Sequence, residues 1–288
     1  MVAEIKFVPN ESWTILSPIE QSIKSKIEAV GIPLKDWEIN IYRGILTGYN
    51  EAFIINGKTK ERLVSEDPKS AEIIRPILRG RDIKRYGYEF SDLYLITTFP
   101  SLKIDIDKYP SIKRFLLSFG IERLEQTGRE YKINGECIKA RKKTANKWFE
   151  TQDSISYWED FSKQKIIFQE MVQESSFILD NEGKFLCLDT ARIITGERLE
   201  VILAVLNSKL FYYSIKNFYG GGGLGANGIR MKHTFFENFP MPKFSMEIED
   251  TIKTLVSNPT NENLHLIDEL LYNFYGFNEN EVQLIEFQ

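Results

Sequence analysis

Two clusters of basic residues are the parts of this sequence best suited to bind a polyanion. Residues 79–86 hold four arginines and lysines around one aspartate, and residues 139–147 hold five with no acid among them. Arginine and lysine grouped in loops are typical of phosphate binding, because each neutralised phosphate releases condensed counterions. Both clusters therefore predict contacts with a nucleic-acid backbone, with an ordinary solvated charged surface as the alternative.

Asparagine and aromatic residues accompany these cations. Arginine, lysine and asparagine hydrogen-bond to base edges, and aromatic rings stack on bases. We expect residues 79–86 to hold phosphates, and residues 139–147 and 219–230 to enter the grooves and read bases. Arg81→Ala should then weaken binding to all DNA sequences alike, whereas Asn146→Ala or Asn227→Ala should change which sequence is preferred. The predicted DNA-binding residues are Arg43, Thr47, Tyr49, Asn50, Arg79, Arg81, Lys84, Arg85, Tyr86, Lys139, Arg141, Lys142, Lys143, Asn146, Lys147, Trp148, Tyr219, Gly222, Asn227, Arg230, Lys232 and His233.

Three patterns that could belong to enzymes are weak here. Residues 220–225 match the dinucleotide fingerprint but follow a helical pattern, so a flexible loop that another backbone can approach is favoured. Residues 57–59 end like a P-loop, yet Ala52 stands where the first glycine belongs. Asp160 with residues 180–184 resembles a nuclease pattern, but its charges fall on a predicted turn. No catalytic residue is predicted.

Composition limits the class of protein. The chain has 288 residues, 42% hydrophobic and 13% aromatic, enough apolar surface for one large domain or two small ones, which excludes a disordered chain. Its two cysteines and two histidines lack metal-ligand spacing, so we expect no metal, no disulfide framework and a reducing, cytoplasmic location. No apolar run reaches the ~20 residues of a membrane helix and no signal peptide is visible, so no membrane partner is expected.

The charge is divided unevenly along the chain. Residues 246–288 hold nine acidic residues and one lysine, a net −8, which leaves +4 for residues 1–245 of a chain whose formal net charge is −4. The acidic total is therefore an average over a cationic body and an anionic tail. We expect the tail to face away from DNA or to screen the body, so that deleting residues 246–288 strengthens nonspecific binding.

Hydrophobic periodicity predicts both helices and short strands along the chain, and a small helical tail at the C-terminus. Residues 17–20 form a capping box that starts a helix ending at Gly31. Further expected elements are helices over 109–126 and 199–218, short strands over 165–195 with a hairpin turn at 181–183, an exposed loop over 129–147, and three helices beyond Ser245.

Several short motifs occur in the order found in a known family. They are 47–53 (TGYNEAF), 79–86 (RGRDIKRY), 148–150 (WFE), 206–210 (LNSKL), 240–242 (PMP), 267–270 (IDEL) and 275–277 (YGF). Together they resemble the TaqI-like C-terminal specificity domain of type IIG restriction-modification enzymes and related adenine-N6 DNA methyltransferases. The resemblance runs from roughly residue 37 to the end, and residues 79–86 are its most specific part.

This resemblance implies that residues 37–245 form a target recognition domain with an α+β (mixed α/β) fold, in which helices flank a mixed or antiparallel sheet. Such a domain reads a short sequence in double-stranded DNA and presents its adenine to a methyltransferase. It also implies a methyltransferase or nuclease portion, in the same chain or on a separate subunit, that holds S-adenosylmethionine and Mg²⁺; no cofactor is expected in this chain. The family's Asn/Asp-Pro-Pro-Tyr/Phe motif is missing, since residues 238–242 read NFPMP. We therefore expect a fragment or a stand-alone specificity subunit, with a helical lead-in (1–36) and an acidic helical segment (246–288).

Two other functions compete with DNA recognition. A protein-interaction module would use the basic surface to dock an acidic partner subunit of a DNA-modifying complex, and the tail to dock a basic one. A nuclease or a complete methyltransferase is disfavoured by the missing catalytic motifs.

Overall fold

The computed structural model describes residues 16–220, 223–224 and 228–287, which group into two compact units. Unit 1 takes the described residues of 1–39, 171–175 and 197–288, and unit 2 takes 40–170 and 176–196. This division differs from the predicted segments, because residues 197–245 group with the two terminal segments. None of the helices in these residues combines the length and apolar character needed to cross a bilayer.

Helices and short strands alternate along the chain, and the predicted α+β class is confirmed. The α-helices are α1 (Pro18–Val30), α2 (Asn50–Phe53), α3 (Gly57–Glu66), α4 (Pro110–Leu117), α5 (Ile121–Leu124), α6 (Leu199–Leu206), α7 (Lys209–Ser214), α8 (His233–Phe236), α9 (Met246–Ser257), α10 (Asn261–Tyr275) and α11 (Glu279–Glu286). The strands are β1 (Ile32–Pro33), β2 (Ile39–Arg43), β3 (Ile54–Asn56), β4 (Ile74–Leu78), β5 (Ile83–Lys84), β6 (Gly87–Tyr88), β7 (Leu93–Ile96), β8 (Glu130–Ile133), β9 (Glu136–Lys139), β10 (Lys165–Gln169), β11 (Met171–Val172), β12 (Phe177–Asp180), β13 (Leu186–Cys187), β14 (Ala191–Gly196), β15 (Gly223–Leu224), β16 (Gly228–Arg230) and β17 (Pro240–Met241).

Two four-stranded sheets form the frame of unit 2. The first has the order β12-β10-β14-β2, and β10 runs antiparallel to both β12 and β14. The second, β13-β4-β7-β3, is mixed, because β13 runs parallel to β4 while β7 is antiparallel to its neighbours. Ile166, Ile167 and Phe168 of the central strand β10 are fully buried. Burial of each such side chain contributes about 1.5–3 kcal/mol.

Helices from both ends of the chain build the core of unit 1. The predicted capping box at α1 is confirmed: the Ser17 and Glu20 side chains each accept a hydrogen bond from the other's backbone N–H. Helix α1 buries Ile23 and Ile27 and packs against α10 and α11. The C-terminal helices bury Ile252, Ile267, Leu271 and Ile285. The acidic tail is therefore part of the same core as α1.

One short excursion links the two units along the chain. After β10, residues 171–175 leave unit 2 and contribute β11 to the sheet β11-β16-β15 of unit 1. Val172 of β11 pairs with Ile229 of β16, and both are buried. The chain then returns to unit 2 at β12, so neither unit is one continuous segment.

Two long helices expected from periodicity are interrupted. In residues 109–126, α4 ends at Leu117, Gly120 adopts a φ of +87°, and α5 begins at Ile121. In residues 199–218, the Ser208 hydroxyl accepts a hydrogen bond from the Phe211 N–H and so caps a new helix, α7. The continuous apolar pattern is thus interrupted by a glycine with a positive φ in the first case and by a capping serine in the second.

The predicted hairpin at 181–183 is wrong. Strands β12 and β13 flank this turn but join different sheets, since β12 pairs with β10 and β13 with β4. The cause is Asp180, which is buried and accepts hydrogen bonds from the backbone N–H groups of Lys184 (3.0 Å) and Phe185 (2.8 Å). Its carboxylate also lies 2.6 Å from the buried Lys165 ammonium. These bonds turn the chain away from β12.

Candidate nucleic-acid interface

Residues 129–147 contain a β-hairpin, so the prediction of a continuous exposed loop is wrong. Strands β8 and β9 pair antiparallel, with Tyr131 opposite Ile138. They are joined by Asn134 and Gly135, whose φ angles are +51° and +87°. An Asn-Gly pair with two positive φ angles is typical of a type I′ turn, which matches the twist of the flanking strands. The lysine, asparagine and glycine content of the segment masked this short hairpin signal.

Arg141 is the buried hub beneath this hairpin. Its guanidinium donates hydrogen bonds to the carbonyl oxygens of Leu124 (2.8 Å), Thr47 (3.0 Å), Glu150 (2.8 Å) and Trp148 (2.7 Å). Burial lowers the pKa of Arg141 to about 10, so the side chain is still charged at neutral pH. Arg141 was predicted to contact DNA, but it is buried and donates to carbonyl oxygens of three backbone segments, at residues 47, 124 and 148–150. We therefore assign it to the support of this region.

Gln126 is a second buried side chain that holds the loop after β9 in place. Its amide NH2 donates to the carbonyl oxygens of Glu150 (3.0 Å) and Lys147 (3.2 Å), and its side-chain oxygen accepts from the Thr144 hydroxyl (2.8 Å). Buried amides satisfied in this way fix the backbone around them. The loop that follows β9 is therefore built on a fixed base.

Asn146, predicted to read bases, and Trp148, predicted to bind DNA, both make contacts that support the loop. The Asn146 amide NH2 donates to the carbonyl oxygens of Thr151 (3.1 Å) and Gln152 (2.9 Å). Trp148 is half-buried, and its ring packs edge-on against Phe149 with centroids 5.5 Å apart. Replacing Asn146 should therefore disturb the loop, and is no clean test of base preference.

The remaining cations of this segment face solvent. Lys139, Lys142 and Lys143 are exposed, and no carboxylate among the residues that the structure describes lies within ion-pair distance of them. Lys147 is exposed as well, with its ammonium 5.5 Å above the Phe149 ring. The hairpin adds two exposed cations that the sequence analysis missed. We call the set the unpaired cations: Arg129, Lys132, Lys139, Lys142, Lys143 and Lys147.

The segment 47–50 lies against this hub through the Arg141–Thr47 hydrogen bond. Thr47 was predicted to contact DNA, but its side chain is fully buried and donates to the Asn50 side-chain oxygen (2.6 Å), so we assign it to the support of this segment. Tyr49 is half-buried, and Arg123 lies 5.6 Å over its ring while donating to its hydroxyl (3.4 Å). Arg123 was not among the predicted residues, because it lies outside both clusters of basic residues.

Residues 79–86 form a loop closed by an internal ion pair. The Arg79 guanidinium donates to both carboxylate oxygens of Asp82 (2.8 and 3.0 Å) and to the Ser91 hydroxyl (2.6 Å). Burial raises the pKa of Asp82, but the hydrogen bonds from Arg79 and Ser91 outweigh it and hold this pKa below its ordinary value. Arg79 is thus engaged within the loop, whereas Arg81 is exposed and has no acidic partner in the described part of the chain.

The other cations of these loops have nearby partners. Arg43 is exposed and lies 3.5 Å from Asp153, and Lys84 lies 3.8 Å from Glu89. Surface pairs at these distances are weak and exchange readily with other anions.

Arg85 and Tyr86 complete the loop at its carboxyl end. The Arg85 guanidinium lies 5.8 Å from the centroid of the half-buried Tyr86 ring. Tyr86 has a φ of +59°, and its N–H donates to the carbonyl of Phe177 (3.1 Å). This bond attaches the loop to β12.

The backbone of residues 187–191 connects the two predicted loops of unit 2. The N–H of Gly44 donates to the Ala191 carbonyl (2.9 Å), next to Arg43. On the other side, a Cβ placed on Gly80 would lie 3.4 Å from the Thr190 carbonyl, so the loop 79–86 passes close to the same turn. Both loops therefore lie against the same turn of unit 2.

A second set of predicted residues belongs to unit 1. The Tyr219 hydroxyl donates to Glu28 (3.2 Å), and burial together with this carboxylate raises the pKa of Tyr219. Arg230 is exposed at the end of β16, while Lys232 and His233 are half-buried at the start of α8. Gly222 and Asn227 lie outside the described residues. The predicted site is thus divided into two sets of residues, one in each unit.

The nuclease-like pattern gives no metal site. Asp180 is fully engaged by Lys165 and the following backbone, and Asp160 pairs with Lys163 at 2.8 Å. Across the residues that the structure describes, no three Asp, Glu, His or Cys side chains are grouped as metal ligands.

Residues 75–226 match the model of the TaqI-like C-terminal specificity domain. The chain belongs to this family. The match covers the loop 79–86, the hairpin β8–β9 and the Arg141 hub, so the resemblance inferred from the motifs is confirmed. The specificity domain is also 24% identical over 232 residues to the type II methyltransferase M.MjaIV of Methanocaldococcus jannaschii, covering 75% of this chain and 68% of that protein.

Two solved structures share the fold of this specificity domain. One is the type IIL restriction-modification enzyme MmeI in complex with DNA, with a TM-score of 0.60 and 13% identity over 88% of this chain and 35% of that one. The other is the type IIG restriction endonuclease BpuSI, with a TM-score of 0.52 and 13% identity over 90% of this chain and 33% of that one. The specificity domain therefore spans about a third of the length of each enzyme.

Proposed function

We propose that this specificity domain binds duplex DNA and recognises a short sequence in it for a restriction-modification enzyme. The observation that carries the proposal is the set of unpaired cations, which the buried Arg141 hub holds at one segment of unit 2. A cation that forms no ion pair within the protein is available to DNA, where it can neutralise a phosphate or donate to a base edge. Membership of the family, and a fold shared with an enzyme solved in complex with DNA, support the same function.

The residues of unit 2 divide into two roles under this proposal. Lys142, Lys143 and Arg81 would contact phosphates, since each is exposed on a loop and forms no ion pair with a carboxylate of the described residues. Tyr49 and Asn50 would lie nearer the bases. The Asn50 side-chain oxygen is occupied by Thr47, which leaves its NH2 group to donate to an acceptor on a base edge.

Catalysis would belong to another part of the enzyme. A methyltransferase and nuclease portion, in the same polypeptide or on a separate subunit, would bind S-adenosylmethionine and Mg²⁺. The similarity to a methyltransferase and to two enzymes about three times as long as the matched region supports this arrangement. We also propose a cytoplasmic location, which agrees with two cysteines, Cys137 and Cys187, that form no disulfide.

A salt series of duplex binding tests the proposal. The full chain should bind a duplex with an affinity that falls steeply between about 50 and 200 mM salt, because several phosphates are neutralised. The double variant Lys142→Ala/Lys143→Ala should make the slope of log K against log salt shallower by about 2. The matched control is Lys253→Ala in α9, where the lysine pairs with Asp250 at 3.0 Å.

The outcomes separate clearly. A shallower slope for the double variant, with an unchanged slope for the control, supports phosphate contacts at residues 142 and 143. A flat salt response of the unaltered chain, or equal loss in both variants, contradicts the proposal.

A further inference from the structure

The hairpin β8–β9 is a ribbon of two strands. Its register places Glu130 opposite Lys139 and Lys132 opposite Cys137, and in the described residues neither strand pairs with another sheet. The ladder continues at its base, where the Ala140 N–H donates to the Arg129 carbonyl (2.9 Å). The hairpin is therefore a short ribbon that extends from the Arg141 hub.

The two faces of this ribbon differ in character. Tyr131, Ile133 and Ile138 point to one face and are half-buried, and the Tyr131 hydroxyl donates to Glu125 (2.6 Å) next to α5. Alternation along a strand places the next residues on the opposite face. That outer face carries Glu130, Lys132, Cys137 and Lys139, and all four are exposed. The inner face fixes the ribbon, so the outer face is presented with little freedom.

The dimensions of the ribbon match one feature of duplex DNA. Two paired strands lie about 4.8 Å apart, and four residues of strand extend over about 13 Å. The major groove of B-form DNA is about 12 Å wide and 8.5 Å deep, and it admits a two-stranded ribbon. The minor groove, at about 6 Å, is too narrow for it.

The charges of the outer face indicate bases and not phosphates as its partners. Glu130 lies in the same row as Lys132 and Lys139, and a carboxylate among phosphates is repelled. On base edges the same row is complementary: lysine donates to guanine O6 and N7, and glutamate accepts from cytosine N4. The loop that follows contains only cations, Lys142 and Lys143, which suits the backbone of the duplex.

We propose that the hairpin β8–β9 enters the major groove and reads G·C base pairs through Glu130, Lys132 and Lys139. The inference rests on the proposed function, since it assumes that the chain binds duplex DNA. It assigns base readout to the ribbon and phosphate contact to the loop behind it. Cys137 lies in the same row, and its thiol donates to one Glu130 carboxylate oxygen (3.9 Å), which leaves the other oxygen to accept from a base.

Selection from a randomised duplex pool tests this assignment with the full chain. The unaltered protein, Lys132→Ala, Lys139→Ala and Glu130→Gln are each used to enrich bound sequences, followed by affinity measurements on the consensus and on single-base changes. Lys142→Ala serves as the matched control, because it is an equally exposed lysine a few residues away. Thermal unfolding of each variant checks that the fold is intact.

We expect the hairpin variants to relax the consensus at one or two adjacent G·C positions. The discrimination against a wrong base there should fall by roughly 5- to 150-fold, while affinity for unrelated DNA changes less than about twofold for Glu130→Gln. The control variant Lys142→Ala should bind all DNA sequences more weakly, to the same degree, and should select the same consensus as the unaltered protein.

Three results would overturn the assignment, and they are distinguishable. An unchanged consensus in every hairpin variant, with uniform loss of affinity, would show that the ribbon contacts only phosphates and would leave DNA recognition intact. A consensus without G·C pairs would refute the base assignment alone. No consensus or no binding by the unaltered chain would refute the proposed function together with the hairpin assignment.

Discussion

Cations are used differently in the C-terminal helices of unit 1 and in residues 129–147 of unit 2. In unit 1, Lys26 lies 2.6 Å from Glu281, Lys209 pairs with Glu286, and Arg198 pairs with a buried glutamate at the start of α9. The unpaired cations of unit 2 form no such ion pairs with the residues that the structure describes. The cations of the first region thus form ion pairs that stabilise the fold, whereas those of the second can bind an anionic ligand.

This contrast changes the interpretation of the net charge. The acidic tail appeared from the sequence to be a screen for the basic body, yet several of its carboxylates are already paired within unit 1. Its helices also supply buried core residues. Deleting residues 246–288 should therefore unfold unit 1, so the expectation of stronger nonspecific binding after truncation has no simple test.

The largest loss of stability should follow from Arg141→Ala. If unit 2 tolerated this change, the contrast between a buried structural arginine and the exposed unpaired cations would fail. Four backbone carbonyl oxygens would lose their donor, and we expect at least about 3 kcal/mol of destabilisation. Urea unfolding followed by tryptophan fluorescence would measure it. Lys143→Ala, two positions away and exposed, should change the free energy of unfolding by less than about 0.5 kcal/mol. Equal effects of the two variants would contradict a hub at Arg141.

A smaller effect is expected from Asp82→Asn in the loop 79–86. Hydrogen bonds between charged groups contribute about 1.5–3 kcal/mol, so the variant should lose about 2 kcal/mol at pH 7. The folded-state pKa of Asp82 is lowered, so its contribution is present above pH ~4 and is lost as the pH falls through the folded pKa. The stability curves of the two proteins should converge below pH ~4. Parallel curves down to acid pH would contradict this ion pair.

Glu281→Gln tests whether an ion pair of unit 1 contributes to stability and not to DNA binding. The Glu281 carboxylate accepts hydrogen bonds from Lys26 (2.6 Å) and Ser22 (2.6 Å), and burial is outweighed by these bonds, so its pKa is lowered. We expect a loss of about 1–2 kcal/mol, with no change in the salt dependence of DNA binding. Paired thermal melts and binding titrations would show this. A changed salt slope would mean that the pairing of Lys26 limits DNA binding.

The smallest stability effect should come from Gly135→Ala at the hairpin turn. The backbone φ of +87° disfavours any side chain, but no atom lies within 4 Å of the added Cβ, so the cost is limited to about 1 kcal/mol. Hydrogen exchange should show faster opening of β8 and β9, with Gly87→Ala as a control glycine whose added Cβ is equally uncrowded. Unchanged exchange in the hairpin would argue against the type I′ turn.

Local chemistry made part of this molecule predictable from its sequence. The capping box at Ser17, the strand at 165–168 and the three C-terminal helices depend on patterns within a few residues, and the structure contains all of them. The family motifs were equally readable. The hairpin at Asn134 carried a short signal that the surrounding lysines obscured.

The division of labour among the basic residues could not be predicted. Arg141, Lys142 and Lys143 are consecutive and look alike in sequence, yet only Arg141 is buried. Its burial depends on carbonyl oxygens supplied by residues 47, 124, 148 and 150, and their approach is set by the tertiary fold. The burial of Thr47 could not be predicted for the same reason.

The excursion of residues 171–175 into unit 1 has a consequence for exchanging specificities between relatives. Because the chain passes between the units four times, a single recombination point cannot transplant unit 2 as an intact module. A functional graft would carry residues 40–196. This segment includes β11, which would have to pair with β16 of the recipient. Compatibility at Val172 and Ile229 would then decide whether a chimaera folds, however well its DNA-facing loops are chosen.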